Sequence, residues 1–132
     1  MNMKLEVVKK YFSLIEQFRT DESEYTDILH AEVEQTEYPN WLTAKLTISD
    51  RATLFERSKS GSKLLASQRY DIQRSYECDE TVITEVFWTA VIGTDVGSFK
   101  SGQKLEAYFC CVFDFKDGLI YRQRNYDCFE RF

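Results

Sequence analysis

From Gln68 to its end, the chain is a succession of strand-length segments separated by turn residues, and this constrains the fold more than any other feature. "RYDIQRSYE" alternates as a strand does, and "CDE" is a turn candidate. "TVITEVFWTAVIG" is dense in β-branched and aromatic residues and reads as a strand. "TDVGSFKSGQ", with its glycines and serines, reads as a loop. "KLEAYFCCVFDF" is a further strand, and "KDG" supplies a hairpin turn in which Gly118 can take a positive φ. In the closing segment, "GLIYRQRNYDCFERF", alternation places Tyr121, Gln123, Asn125 and Asp127 on one face and Arg122, Arg124 and Tyr126 on the other. Both faces are polar, so each needs a polar neighbour.

The first half is mostly helical. Val7, Val8, Tyr11, Phe12, Leu14, Ile15 and Phe18 recur at helical spacing, with Lys9, Lys10, Ser13, Glu16 and Gln17 on the outer face. In "TDESEYTDILH", Asp21 is placed to cap a short helix, with Glu24 at capping-box spacing and Tyr25, Ile28 and Leu29 inward. "AEVEQTEYPNW" alternates briefly and stops at Pro39, which forces Tyr38 to be extended. Tyr38 and Trp41 therefore belong to a loop or strand end. A second helix opens at Ser49 or Asp50, either of which can cap it. It runs through "RATLFERSKS", with a break or kink expected at Gly61 and "KLLAS" as its candidate continuation. Helices followed by a meander of strands argue for an α+β domain rather than βαβ units. With no repeat or linker, residues 1–132 are expected to form one domain.

Composition narrows the function. The net charge is −5, and no run of Lys or Arg is dense enough to track a phosphate backbone, which argues against a nucleic-acid partner. No apolar stretch has membrane-spanning length, and "MNMKLEVVKKYF" lacks a signal-peptide core; the expectation is a cytoplasmic protein with no membrane partner. The four cysteines, Cys78, Cys110, Cys111 and Cys128, have no CxxC spacing, and His30 is the single histidine, so no metal site is expected. Ten Phe, eight Tyr and two Trp can fill a core or line a cavity.

The closing run "FDFKDGLIYRQRNYDCFERF" resembles the terminal hairpin of the SnoaL-like domains within the nuclear transport factor 2-like (NTF2-like) superfamily. "EVFWTAVIG" resembles the family's central strand, and "VVKKY" and "YPN" its first helix and the loop before its third. The resemblance covers nearly all of the chain. It implies N-terminal helices packed in a curved antiparallel sheet that forms a cone-shaped pocket. It also implies that Gln123, Asn125 and Asp127 point into the cone, and that Arg122, Arg124 and Tyr126 point to a convex face through which members commonly pair as homodimers.

The resemblance can be tested against ketosteroid isomerase-like sites position by position. Tyr11 matches the tyrosine of helix one. Tyr38 stands where a carboxylate base is required, and Cys111 where a protonated acid is required. Two of three groups are missing, and a phenol is a poor base at neutral pH, so that mechanism is rejected. Glu37, next to Tyr38, is expected to point the other way. In SnoaL-like cyclases an aspartate on the closing strand is implicated as the acid/base group, and Asp127 resembles it, although the accompanying histidine has no counterpart. A carboxyl group in a dry aromatic pocket has a raised pKa, which suits proton transfer near neutrality. The competing reading is that Asp127 merely accepts hydrogen bonds from Tyr11 or Asn125 in the pocket wall. An epoxide-hydrolase-like set needs two inward carboxylates around an arginine. Asp114, Arg122 and Arg124 all alternate outward, so that set is not expected either. Trp41, Trp88, Phe109 and Phe113 are the candidate aromatic lining, though such residues more often fill a core than touch a ligand. Glu85 lies on the strand face opposite Trp88.

These readings converge on a pocket for a small apolar or carbonyl-containing ligand. One expectation is cofactor-independent isomerase or cyclase chemistry, with Asp127 catalytic and Tyr11, Gln123 and Asn125 orienting. The alternatives are a non-catalytic binding module and a dimerisation domain with a filled core.

Overall fold

The computed structural model describes residues 3–132. Helix α1, Met3–Glu16, buries Val8, Tyr11 and Phe12. It ends in a Schellman motif: Phe18 adopts φ 56°, while Arg19 N–H donates to Leu14 C=O and Phe18 N–H to Ile15 C=O. Phe18 thus closes the helix rather than extending its stripe. A short 3₁₀ turn, Glu22–Tyr25, follows, and the Asp21 side chain accepts from Ser23 N–H at its start. Tyr25, Ile28 and Leu29 are buried, as the spacing predicts.

Strand β1 is Leu29–Glu37 and β2 is the short Thr47–Asp50. Asp50 caps helix α2, Arg51–Leu64, by accepting from Thr53 N–H. The helix runs straight through Gly61 without the expected break, and Leu65 opens strand β3 rather than continuing the helix. Only Phe55 of α2 is buried. The long strands are β3 (Leu65–Cys78), β4 (Thr81–Ile92), β5 (Lys104–Lys116) and β6 (Leu119–Phe129). The β5–β6 hairpin turns on Asp117 and Gly118, both at positive φ, the twist that a two-residue hairpin requires.

One six-stranded sheet results, in the order β2-β1-β6-β5-β4-β3. Its pairs are antiparallel except one: β1 runs parallel to β6, with Gln35 opposite Gln123 and Glu37 opposite Asn125. The long strands β3 to β6 form the antiparallel meander that the sequence predicts, and the parallel β1–β6 pair is added to it. The helix α2 and strand β2 between β1 and β3 return the chain so that the first strand can lie beside the last.

Among the antiparallel pairs, alternation breaks where Ala66 and Gln73 in β3 and Tyr121 in β6 each lack an opposite number, and the β1–β6 register also shifts between Leu29 and Glu34. Such bulges bend and twist a sheet, and here the sheet curves around α1. The Tyr121 bulge corrects the face reading of β6. Ile120 is fully buried and Gln123 is inward, while Tyr121 sits beside His30 and under Arg122. The core in the concave face joins α1 to the sheet through Val8, Phe12, Val33, Val86, Phe113 and Ile120. A second cluster, Trp88, Ala90, Ile92, Leu105 and Ala107, closes the far end of β4 and β5. No helix among the described residues is long and apolar enough to cross a membrane.

Candidate active site

Between the two clusters the concave face is not filled. A cavity of about 330 Å³ opens there, walled by α1, β1, β4, β5 and β6. Tyr11, Trp88, Phe109, Cys111, Gln123, Asn125 and Asp127 all line it. These seven of the residues singled out from sequence are therefore brought together. Trp88 is held by an indole N–H donated to Gln68 Oε1 at 3.2 Å and stacks on Phe109 at 5.3 Å. Phe129 meets both rings edge-on. Phe113 is fully buried in the core instead of the wall.

Tyr38 and Trp41 lie outside the cavity altogether. Tyr38 lies on the outer side, stacked on Tyr126 at 4.4 Å. Trp41 is 59% exposed and packs against Phe132 and the Arg131 guanidinium outside the cavity. The reason for the first correction is the β1 alternation. Val33 and Gln35 are buried, so Glu37 shares their face and Tyr38 takes the opposite one. Glu37, expected outward, lines the cavity. Its carboxylate accepts from Arg57 Nη2 at 2.8 Å and from Thr43 Oγ1 at 2.9 Å, and Arg57 Nη1 also donates to Ser49 Oγ at 3.0 Å. The signal for Glu37 was present in the sequence: two-residue steps from Val33 lead to it. Arg57 carried no such signal, because only the packing of α2 over β1 brings it there.

Asp127 is the distinctive group. It lies opposite Phe109 in the β5–β6 ladder. Its Oδ1 is buried and has no hydrogen-bond partner among the described residues. Asn125 does not serve it: the Asn125 Oδ1 accepts from Gln123 Nε2 at 2.9 Å, which leaves the Asn125 N–H groups free to face the cavity. Burial, and secondarily the charge of Glu37, push the Asp127 carboxyl up to about 7. Tyr11 is within hydrogen-bonding reach of Gln123, and its phenol is raised above its ordinary range, first by burial and then by Tyr25. Burial and the neighbouring Asp127 likewise hold the Cys111 thiol protonated. The cone therefore holds a carboxyl group raised toward neutrality, beside neutral donors, aromatic walls and the Glu37–Arg57 pair.

The outward residues are satisfied among themselves. Arg124 is paired with Asp114, which accepts also from Thr81 Oγ1 at 2.8 Å. Burial works against that carboxylate's charge, but these bonds outweigh it and keep its pKa low. Arg122 approaches Glu34, and Glu85 approaches Arg74 at 3.6 Å on the convex face. Among the described residues, no three His, Cys, Asp or Glu side chains gather as a metal site would require.

No protein-family model matches the sequence, and a search of curated proteins finds no match. Solved structures do match in fold. IdmH of Streptomyces antibioticus, provisionally assigned as a polyketide cyclase, superposes with a TM-score of 0.78 at 9% identity, over 94% of this chain and 91% of its own. A SnoaL-like protein of Jannaschia sp. CCS1, also provisionally a polyketide cyclase, gives 0.76 at 12% identity, over 95% and 85%. An LEH-like epoxide hydrolase of Mycobacterium tuberculosis gives 0.71 at 15%, over 98% and 84%. At such identities the likeness speaks for the fold, and the fold of this chain is that of the SnoaL-like proteins in the NTF2-like superfamily.

Proposed function

We propose that the protein is a cofactor-independent acid/base enzyme acting on a small, mostly apolar carbonyl compound held in the cone, with Asp127 as the proton-transferring group. The observation that carries this reading is the Asp127 carboxyl group. It is set in an aromatic wall, one oxygen has no hydrogen-bond partner among the described residues, and burial pushes the group up to about 7. A carboxylate kept only for structure would be hydrogen-bonded. In the proposed step, ionised Asp127 removes a proton from the carbon beside the carbonyl. The electron pair moves onto the carbonyl oxygen, and an Asn125 N–H stabilises the resulting enolate. The same carboxylic acid then returns the proton to carbon. Isomerisation and ring closure of a carbonyl chain both begin with that enolate.

The test is deuterium uptake at the carbon beside the carbonyl in a panel of apolar ketones and 1,3-diketones in heavy water, followed by NMR. Exchange faster than the buffer rate, lost in Asp127→Asn, is the expected result. Uptake that is the same in both proteins ends the proposal. Tight ligand binding with no exchange would instead identify a non-catalytic binding module.

One observation favours a second reading. Glu37 and Arg57 supply an inward carboxylate and an arginine in the same cavity as Asp127, the type of set that can hold a water molecule for epoxide opening. Diol formation from an apolar epoxide, abolished by Glu37→Gln and Asp127→Asn alike, would support it.

The proposal includes a homodimer formed through the convex face, where Tyr76, Tyr108 and Tyr126 are 51%, 54% and 42% exposed. Native mass spectrometry would show a monomer if it is wrong. A cytoplasmic setting accords with four cysteines that are all free.

A further inference from the structure

The cone does not end at Glu37 and Arg57. A second cavity of about 260 Å³ lies beyond them, between α1, α2, β1 and the start of β3. Tyr11, Ile15, Gln35, Glu37, Arg57 and Tyr70 line both spaces, so the two form chambers on either side of a shared waist. The far chamber is walled by Leu54, Phe55, Leu29 and Phe18, with Ser58, Gly61 and Ser62 of α2 on one side.

Two features of this chamber suit it to an occupant. Gly61 sits inside a continuous helix, where glycine is less stable than alanine. Its φ is ordinary, and a Cβ added there would meet nothing within 4 Å. Neither backbone geometry nor close packing requires a glycine, and the space its side chain would take belongs to the chamber. The second feature is Gln35 at the waist. It is only 7% exposed, and its side chain makes no hydrogen bond to another described residue. Its amide is open to both cavities, where it can donate to and accept from a ligand.

We infer that the ligand is an elongated, largely apolar molecule with a polar group, a carbonyl or hydroxyl, near its middle. One arm lies in the cone against Trp88 and Phe109. The polar group sits at the waist within reach of Gln35, and the other arm enters the far chamber beside Gly61. This rests on the reading of the cone as a ligand site and adds the size and shape of what it takes.

The experiment measures binding of a homologous series of dialkyl ketones, each with a central carbonyl, through the fluorescence of Trp88. Each added methylene that enters an apolar chamber strengthens binding by about fourfold. The rise stops when both chambers are full. In Gly61→Leu the rise should stop about three methylenes earlier, because the new side chain occupies that volume. Ser58→Leu, on the same wall, serves if the first variant does not fold, and circular dichroism reports folding in each. A plateau at the same chain length in wild type and variant overturns the inference, as does an equal loss at every length. Failure of all the ketones to bind wild type overturns it as well. Deuterium exchange that survives with an unmoved plateau would sink the second chamber and leave the proposed chemistry standing. A shifted plateau without exchange would do the reverse.

Discussion

Replacing Asp127 by asparagine should make the protein more stable, and the gain should grow with pH. In the unfolded chain the carboxyl has its ordinary value of 3.8; in the folded protein it is pushed up to about 7, chiefly by burial. Below pH 3.8 both states hold the proton and the group contributes nothing. As pH rises from there, the unfolded chain releases its proton while the folded chain keeps it, so stability falls. Above about 7 both are ionised and the loss is constant. The interval is a little over three pH units, each worth about 1.36 kcal/mol, which sets a ceiling of about 4 kcal/mol. The side chain is only partly buried, and water reaching it brings the expectation down to about 2 kcal/mol. Asparagine has nearly the same shape and no charge, so Asp127→Asn recovers that amount at pH 8 and well under 1 kcal/mol at pH 4.5. Urea denaturation of both proteins across this range gives the difference directly. A gain independent of pH, or a variant less stable than wild type at pH 8, would show that Asp127 is not a buried carboxyl with a raised pKa. The acid/base assignment would lose its basis with it.

Glu37→Gln removes the one charge that adds to burial in raising Asp127, so the midpoint of the pH–rate profile for ketone exchange should fall by roughly one pH unit. An unchanged midpoint would mean that the two carboxylates do not sense each other. Exposed Cys78 and Cys128 should react with iodoacetamide at pH 8 about a hundredfold faster than buried Cys111, as read by peptide mass spectrometry. Gly93→Ala should cost about 1–2 kcal/mol, since its Cβ would lie 3.0 Å from the Ala66 backbone nitrogen at the β3 bulge; thermal unfolding checks this. Asp50→Ala should cost about 1 kcal/mol through loss of the α2 cap, seen in the same assay.

Some of the site was legible because strand periodicity is local. Once "RQRNYDCF" is taken as a strand, Gln123, Asn125 and Asp127 must share a face, and the structure places all three in the cone wall. The same rule, carried from Val33, puts Glu37 inside and Tyr38 outside. Matching a family position by its distance from Pro39 points to Tyr38 instead, and the structure favours the periodicity. Tyr121 shows the limit of the rule. A single extra residue opposite β5 ends the alternation, and bulges leave little trace in composition.

The amino-acid pattern by itself determined the elements: the inward stripe of α1, where α2 starts, which segments become long strands, where the hairpins turn, and which residues of β6 face together. Caps, periodicity and turn chemistry act between residues a few positions apart, so they can be read along the chain. Tertiary structure alone decided that β1 lies parallel beside β6, and that Arg57 reaches Glu37 across 20 positions of sequence. It alone decided, too, that an Asp127 oxygen is buried without a partner and that Gly61 borders an open chamber. These depend on which distant surfaces pack together and on how far the bulged sheet curves around α1. Burial and empty volume exist only once those surfaces have met.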